Sequence, residues 1–383
     1  MLQRRIFIRG QHLFKVNNEA NHSLESMASE TIVNAMRDAK VQPEEVSAVI
    51  VGNMLSGVLQ KQSQLASLIT EASGLQLAET FTIDTACGSG GSAFRAGCLA
   101  VLSGLHDTVI VAGVEEMKSA PRDELTKALA QASHWKEEGA KGATFVGLND
   151  LLHVLYCEQY PQVDPLDFYY FSATAHKNAL TANHALLKKQ VSLEDYSNSR
   201  LLGRRVRLFD ACPTANGCAA IVLSSKGVLG QDPVVLGSDC KTDILTINKR
   251  KEPLRLRAVE ESVKTAFKQA QIKAEDISIF EAHDAYSIMA VLSLESTFCA
   301  PGKGLEFAKA GHIELSGQLP MSTFGGLKAR GHPVGASGIY QIGELALQLK
   351  GLAGPNQVKN PKYGLTSSFG GAATTVTSHV LGI

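Results

Sequence analysis

The stretch ETIVNAMRDAKVQPEEVSAVIVGN, residues 30–53, contains an amphipathic helix pattern, an acidic turn and an apolar run typical of a buried strand. The stretch ESVKTAFKQAQIKAEDISIFEAHD, residues 261–284, repeats this order at a constant offset of 231 positions. Five identities share that register: Glu30/Glu261, Ala35/Ala266, Ala39/Ala270, Glu44/Glu275 and Ser47/Ser278. Chance similarity of two helix–turn–strand units is the alternative, but a common register favours an internal duplication. We predict an N-terminal half at residues 1–231 and a C-terminal half at residues 232–383.

Strand and helix patterns alternate along the chain. Apolar, β-branched runs occur in VSAVIVGNM (46–54), HDTVIVAGVEEM (106–117) and DPVVLGSDC (232–240), with helical patterns between them. Runs of this kind suit strands that are covered on both faces of a sheet. The alternation therefore predicts an α/β fold with a parallel or mixed sheet.

Residues 118–207 interrupt this alternation. They include HWKEEGAKGATFVGLND (134–150), in which aromatic, histidine and lysine residues follow no clear period. Long ordered insertions on a repeated scaffold often form lids or walls of ligand sites. We predict that this segment is a loop domain inserted into the N-terminal half.

Charge and cysteine content exclude several classes of protein. Lys plus Arg and Asp plus Glu both total 37, so the net charge is zero and no nucleic-acid partner is predicted. No apolar run approaches the roughly 20 residues of a membrane span. Seven cysteines without CxxC pairs predict neither a disulfide framework nor a metal site. Free thiols indicate a reducing compartment, which predicts the cytoplasm; the arginines of MLQRRIFIRG leave the mitochondrial matrix or another organelle as the alternative.

The glycine-rich stretch DTACGSGGSAF, residues 84–94, places Cys87 at a strand-to-helix junction. Backbone N–H groups at a helix N-terminus favour an anion, and a thiol whose pKa is lowered there becomes more nucleophilic. Cys87 is therefore a candidate nucleophile. The alternative is a buried cysteine packed where two glycine-rich helices cross.

Two histidines stand in comparable positions. His332 lies between Gly331 and Pro333, just before a helix with many small residues. His283 directly follows a buried strand, where catalytic side chains of α/β sheets concentrate. The alternatives are a turn residue for His332 and, for His283, a core histidine paired with Asp284.

Taken together, these motifs resemble those of the thiolase superfamily. Cys87–Gly90 matches the nucleophile motif Cys-x-Ser-Gly, and Gly331–Pro333 matches the Gly-His-Pro motif within GGLKARGHPVGASG. HDAY (283–286) is similar to the His-Asp form of the loop that reads Asn-Glu-Ala-Phe in ordinary thiolases. That form is typical of the sterol-carrier-protein-type thiolases and related archaeal and bacterial enzymes. The resemblance implies a thiolase fold, in which duplicated βαβ halves form a five-layered αβαβα core with an inserted loop domain.

The resemblance also implies an acetyl-CoA C-acyltransferase of lipid metabolism, with a coenzyme A thioester as substrate and no permanently bound cofactor. The acyl group would move to Cys87, followed by Claisen condensation or thiolytic cleavage of a 3-ketoacyl-CoA. His332 would deprotonate Cys87, and His283 would help to hold an oxyanion-stabilising water. The N–H of Cys87 and a glycine of the C-terminal loop would form a second oxyanion hole. A homodimer or homotetramer is implied as the assembly.

Further positions carry weaker expectations. Support of the oxyanion sites and their loops is expected from Ser368, Gly370 and Asp284. Candidates for the acyl pocket or for coenzyme A binding are Met117, Phe324, Gly325 and Gly326. Candidates for the adenine-nucleotide end, by location in the insertion only, are Lys177, Lys188, Lys189 and Arg204. Core packing and a solvated charged face are the respective alternatives.

The chain departs from the family pattern at a second cysteine, which acts as acid and base in ordinary thiolases. Ser368 with Gly370 is the expected counterpart of that Cys-x-Gly loop, with Thr366 as the shifted alternative. Some His-Asp relatives carry a cysteine after the aspartate, where this chain has Ala285. A serine hydroxyl is a poor base at neutral pH. The base would then be His283, His332 or a water.

Two other functions therefore stay open. One is a thiolase-like acyl-CoA-binding protein with weak or no carbon–carbon chemistry, which the missing cysteine favours. The other is a condensing enzyme similar to ketoacyl synthases, whose branch of the superfamily uses one cysteine and two histidines. The GGLKARGHPVGASG phrase and the insertion favour a thiolase over this last alternative.

Overall fold

The computed structural model describes residues 4–383 and contains nine strands and eleven α-helices in that range. The strands are β1 (Phe7–Leu13), β2 (Ala48–Gly52), β3 (Glu79–Ile83), β4 (Thr108–Glu115), β5 (Gly217–Ser224), β6 (Val234–Thr242), β7 (Ile279–Glu281), β8 (Tyr363–Gly370) and β9 (Thr375–Gly382). The helices are α1 (Leu24–Ala39), α2 (Leu65–Ala72), α3 (Ser89–Ser103), α4 (Arg122–Ala130), α5 (Phe145–Gln159), α6 (Tyr169–Ala179), α7 (Leu193–Ser197), α8 (Arg257–Ala270), α9 (Ser287–Glu295), α10 (Gly304–Lys309) and α11 (Ser337–Leu349).

The strands form a continuous sheet in the order β3-β2-β4-β5-β1-β6-β9-β8-β7. The first five belong to the N-terminal part of the chain and the last four to the C-terminal part. These two groups meet only where Phe7 of β1 pairs with Val234 of β6. The sheet is therefore two half-sheets joined at a narrow seam.

Both half-sheets have the same pattern of pairing. In the first, β2 is parallel to β4, β4 is antiparallel to β5, and β5 is antiparallel to β1. In the second, β7 is parallel to β8, β8 is antiparallel to β9, and β9 is antiparallel to β6. The counterpart of β3 is reduced to one parallel bridge between Met321 and Phe280. The boundary predicted at residue 231 falls between β5 and β6 and stays a prediction.

Helices cover both half-sheets and also separate them. Helices α1 and α2 pack on the outer face of the first half-sheet, and α8 packs on β6 and β9 of the second. Helices α3 and α11 pack on each other and contact strands of both half-sheets. They approach so closely that a Cβ on Gly338 would lie 2.3 Å from the backbone nitrogen of Gly91. The order of layers is helix, sheet, helix, sheet, helix, as expected above.

The segment between β4 and β5 contains α4, α5, α6 and α7 and rests on the C-terminal part of the chain. Helix α5 packs on α9, where the hydroxyl of Tyr156 donates to Glu295 Oε1 at 2.6 Å. Helix α6 packs against the turn at residues 326–330, which precedes His332. The segment therefore lies beside a loop that carries a candidate catalytic residue.

Three general properties concern residues 4–383 only. None of their helices is long and apolar enough to cross a membrane. No group of three or more His, Cys, Asp or Glu side chains within this range could hold a metal ion. All seven cysteines are free thiols.

Candidate active site

The turn that carries Cys87 is fixed by its neighbours between β3 and α3. Ala86 adopts a left-handed backbone conformation with a φ of 55°. The N–H of Gly88 donates to the carbonyl of Thr85 at 3.1 Å. Ser89 Oγ accepts from the N–H of Thr85 at 3.0 Å and donates to the carbonyl of Ala86 at 2.6 Å. These bonds hold the thiol at the start of α3 in one orientation.

The end of β8 packs directly on this turn. A Cβ on Gly370 would lie 2.1 Å from the carbonyl oxygen of Thr85. A Cβ on Gly88 would lie 2.8 Å from the backbone nitrogen of Gly370. Since no side chain fits at such distances, glycine at both positions lets the C-terminal strand reach the nucleophile turn.

His332 is oriented by bonds to its backbone and its ring. Its N–H donates to the carbonyl of Pro213 at 3.1 Å. Ser337 Oγ donates to the carbonyl of Pro333 at 3.1 Å, so it accepts from Nδ1 of His332 at 2.7 Å. Nδ1 therefore carries the proton, and Nε2 has a free lone pair that can accept one.

His283 has the opposite arrangement of protons. Its Nδ1 accepts from the N–H of Phe369 at 3.3 Å, and its ring stacks on the ring of Phe369 with centroids 5.1 Å apart. The neutral ring then carries its proton on Nε2. The rings of His283 and His332 meet edge to face, with centroids 5.2 Å apart. The site thus holds one imidazole suited to accept a proton and one suited to donate a hydrogen bond.

Burial keeps the catalytic candidates uncharged. It lowers the pKa of His283 to about 3 and that of His332 well below its usual value, and the nearby charge of Arg330 adds to both effects. Burial also raises the pKa of the Cys87 thiol well above its ordinary range, helped by the proximity of Cys212 and Glu115. The resting site is therefore a neutral thiol–imidazole pair rather than an ion pair.

This charge state predicts how alkylation of Cys87 depends on pH. Because the pKa is raised, the thiolate fraction is small at neutral pH and grows about tenfold per pH unit. The rate of iodoacetamide addition, followed by peptide mass spectrometry, should therefore rise steadily from about pH 6 to pH 9.5. A plateau below about pH 8 would mean that Cys87 and His332 form an ion pair instead.

A small inner pocket of about 90 Å³ brings the candidates together. Its lining includes Cys87, His283, His332 and Phe369. A wider outer pocket of about 550 Å³ adjoins it. The two pockets share the lining residues Leu129, Phe145, Cys212, Thr214 and Tyr286. A ligand could therefore enter through the outer pocket and place its end against Cys87.

Ser368 lies outside the inner pocket. A Cβ on Gly91 would lie 2.8 Å from Ser368 Cβ, and one on Gly338 would lie 2.9 Å from Ser368 Oγ. The serine side chain is therefore held between α3 and α11. Phe369, the next residue of β8, lines the pocket instead, because side chains alternate between the faces of a strand.

Asp284 holds a turn rather than reaching the pocket. It accepts from Ser322 Oγ at 2.9 Å and from the N–H of Leu327 at 2.6 Å, and burial raises its pKa. A Cβ on Gly326 would lie 2.2 Å from Asp284 Oδ2. Gly325 and Gly326 both have positive φ, 105° and 53°, and form this turn. The structure places these three residues in the support of the loop before His332.

The other two apolar candidates are buried at different distances from the thiol. Met117 packs in one cluster with Cys87, Leu55 and Val334. Phe324 packs in a separate cluster of small residues, with its ring 5.4 Å from that of His184. Met117 is therefore adjacent to the nucleophile, and Phe324 is not.

The four cations predicted from the insertion line neither the inner nor the outer pocket. Lys177 pairs with Glu314 at 2.7 Å, and Lys189 with Asp195 at 3.7 Å. Lys188 Nζ donates to the carbonyl of Ala179 at the end of α6, and Arg204 is exposed. The cationic side chains that line the outer pocket are instead Arg122, Arg200 and Lys328.

Sequence reasoning missed several residues of the two pockets. Tyr286 lies within the quoted HDAY motif, and Cys212 lies five residues before the start of the buried strand β5, so both carried a usable signal. Arg122 and Arg200 lie far apart in the insertion and form no motif. Only the fold brings them to the same pocket.

The sequence and the structure of this chain are similar to those of known thiolases and related proteins. Residues 10–156 match the family model of the thiolase N-terminal domain, and residues 240–383 match that of the thiolase C-terminal domain-like family. An acetyl-CoA acetyltransferase of Methanothermobacter thermautotrophicus is 33% identical over 363 residues, which cover 94% of each chain. Sterol carrier protein 2 of Gallus gallus is 24% identical, and the match covers 100% of this chain and 73% of that protein. A solved structure of the Ltp2-ChsH2(DUF35) aldolase superimposes with a TM-score of 0.87 at 20% identity, covering 100% of this chain and 98% of that chain. The predicted fold class is confirmed.

Proposed function

Because the chain belongs to the thiolase family, we propose that it is an acyl-CoA acyltransferase in which Cys87 accepts the acyl group of a coenzyme A thioester. The finer proposal is that acyl transfer is coupled to thiolytic cleavage of a 3-ketoacyl-CoA or to the reverse Claisen condensation. The observation that carries the proposal is the convergence of Cys87, His332 and His283 on one inner pocket. The name of the archaeal relative, acetyl-CoA acetyltransferase, supports the same reaction class.

The two imidazoles have separate tasks in this proposal. Nε2 of His332 takes the proton of the Cys87 thiol as the sulfur attacks the carbonyl carbon. Nε2–H of His283 donates to the thioester carbonyl oxygen, on which negative charge develops when the carbon–carbon bond breaks. Burial raises the pKa of the Cys87 thiol and lowers that of His332, so both groups are neutral before the substrate binds. The free protein therefore does not bear the energetic cost of two buried charges.

The backbone beside Cys87 supplies a second hydrogen-bond site in this mechanism. We assign the N–H of Cys87 and the glycines at the end of β8 to the oxyanion of the tetrahedral intermediate, which forms at the acyl carbon bonded to the sulfur of Cys87. The tight contact between Gly370 and Thr85 fixes their relative position. Loss of one such donor typically costs about 2.7–4 kcal/mol of barrier.

The outer pocket fits the rest of a coenzyme A thioester. Arg122 and Arg200 offer cationic groups for phosphates, and Leu125, Leu187 and Leu208 offer apolar contacts along the way. Substrate would thus lie with its charged end outside and its thioester against Cys87.

One observation favours the alternative function, a thiolase-like protein that binds acyl-CoA with weak or no carbon–carbon chemistry. Ser368, with Thr366 as the shifted alternative, is the expected counterpart of the second cysteine of ordinary thiolases, and neither residue lines the inner pocket. A chain that acylates Cys87 but lacks any acid or base for carbon would behave as such a protein.

Mass spectrometry and a thiolysis assay separate these functions. The pure protein is first incubated with acetyl-CoA, and the Cys87 peptide should gain the mass of one acetyl group. Acetoacetyl-CoA and free coenzyme A are then supplied, and the ketoacyl thioester should disappear as acetyl-CoA forms. Acylation without cleavage would favour the binding protein, and decarboxylation of a malonyl thioester would favour the condensing enzyme. Failure of acylation would refute the proposal.

A further inference from the structure

The proposed function leaves one step without a residue, and the following inference rests on that function. When a 3-ketoacyl-CoA is cleaved, some residue must give a proton to the carbon next to the thioester carbonyl. His332 already serves Cys87, and Nε2 of His283 carries its proton as a hydrogen-bond donor. Besides these and Cys87, the ionisable side chains that line the inner pocket are Cys212 and Tyr286, among the described residues.

The backbone on both sides of Cys212 is bound to the loops of the two histidines. Its own N–H donates to the carbonyl of Ala285 at 2.9 Å, close after His283. The carbonyl of Pro213 accepts from the N–H of His332 at 3.1 Å. Cys212 is thus held between the segments that carry the two imidazoles, by bonds that need no ligand.

Cys212 also shares the inner pocket with the nucleophile. Cys212 lines both pockets, so it stands where the inner pocket meets the outer one. Cys87 and Tyr286 line the same inner pocket as Cys212. Burial raises the pKa of both groups, and the proximity of Cys212 adds to the effect. Cys212 is only half-buried, whereas Cys87 is 9% exposed, so a ligand in the pocket can reach both sulfurs.

We propose that Cys212 is a second catalytic thiol, which exchanges the proton at the carbon next to the thioester carbonyl. In cleavage, the sulfur of Cys87 bonds to the keto carbon and the carbon–carbon bond breaks. The released electron pair takes the proton of the Cys212 thiol, giving acetyl-CoA and a Cys212 thiolate. Free coenzyme A then returns a proton to Cys212. The resulting coenzyme A thiolate attacks the acyl group and displaces the sulfur of Cys87. The Cys87 thiolate finally recovers its proton from His332.

The choice of Cys212 over Tyr286 follows from acidity. Burial raises the pKa of Cys212 to about 12, and the nearby Lys328 ammonium opposes the rise. Burial raises the pKa of the Tyr286 phenol further above its own, already higher, ordinary value. The coenzyme A thiol, with an ordinary pKa of about 8.5, can return a proton to the anion of either residue. In the condensing direction the residue must first lose its proton, and Cys212 loses it more easily than Tyr286 because its pKa is lower.

Two half-reactions of the full-length protein test the proposal. Exchange of isotopically labelled coenzyme A into acetyl-CoA needs only acyl transfer through Cys87. Uptake of deuterium from D₂O into the acetyl methyl group of acetyl-CoA needs a base at carbon. For Cys212→Ser we expect label exchange within about threefold of the unmodified chain. Deuterium uptake should fall about 100-fold or more. Cys212→Ala is measured in parallel in case the serine variant does not fold, and Cys240→Ser, in an exposed residue of β6, is the matched control.

Each other result overturns the assignment. Unchanged deuterium uptake in both Cys212 variants would do so, as would an equal loss of both half-reactions in a folded variant. Loss of uptake in Tyr286→Phe but not in the Cys212 variants would move the role to Tyr286. If the unmodified chain exchanges label but takes up no deuterium, both the carbon–carbon reaction and the role of Cys212 are refuted, whereas the proposed acyl transfer is supported. If it does neither, the proposed function itself has failed.

Discussion

Replacing Cys87 by alanine is expected to lower kcat/KM for thiolysis by about 10⁴–10⁶-fold, because the acyl group loses its covalent carrier. The neighbouring Cys212 does not replace it. Only Cys87 stands at the turn that β8 and the start of α3 surround, where backbone N–H groups can hold the oxyanion. The measurement is initial-rate thiolysis of acetoacetyl-CoA, together with mass spectrometry of both cysteine peptides after exposure to acetyl-CoA.

The matched control for this variant is Cys240→Ala, since Cys240 is exposed on β6 and lines neither pocket. It should keep the activity of the unmodified chain. Acetylation of Cys212 in the Cys87→Ala variant at a comparable rate would contradict the assignment of a single acyl carrier.

Replacing His332 by glutamine should lower the rate of Cys87 acetylation by about 10²–10⁴-fold, the usual contribution of a general base. The amide keeps hydrogen-bonding capacity but cannot take the thiol proton. The residual rate should increase steeply with pH as hydroxide replaces the imidazole, whereas the unmodified chain should show a shallower dependence. Single-turnover acetylation at several pH values measures both quantities.

His22→Gln provides the comparison, because His22 contacts Phe14 in the N-terminal half and lines neither catalytic pocket. Its acetylation rate should match that of the unmodified chain. If the acetylation rate of Cys87 falls by less than about threefold in His332→Gln, some group other than His332 must take the proton of the thiol.

Local sequence patterns predict the architecture well because they reflect local physics. Alternating apolar runs and helical periods identify the layers, and strands β4 and β5 are buried along their whole length as such runs require. Motifs near strand ends and helix starts predict that Cys87, His332 and His283 share a site, and the structure brings the three to one pocket. Their roles stay proposals.

Orientation within an element is harder to predict from sequence. Alignment of Ser368 with the missing cysteine depends on the register of β8, and a shift of one residue reverses the face of every side chain. The cations of the outer pocket depend on how the insertion folds over the C-terminal part of the chain. Lys177 pairs with Glu314, which is distant in sequence, and Lys189 pairs with Asp195 of the short helix α7. Location in the insertion alone could not predict these partners.

The repeated strand order has a consequence for the origin of the chemistry. The turn before α3 carries the sulfur and the turn before α11 carries the imidazole, and these two helices meet at the centre of the molecule. Two halves of identical sequence would offer two sulfurs or two imidazoles at this meeting point, and never one of each. The sequences of the two halves differ at these turns, so a single centre can combine a thiol from one half with an imidazole from the other.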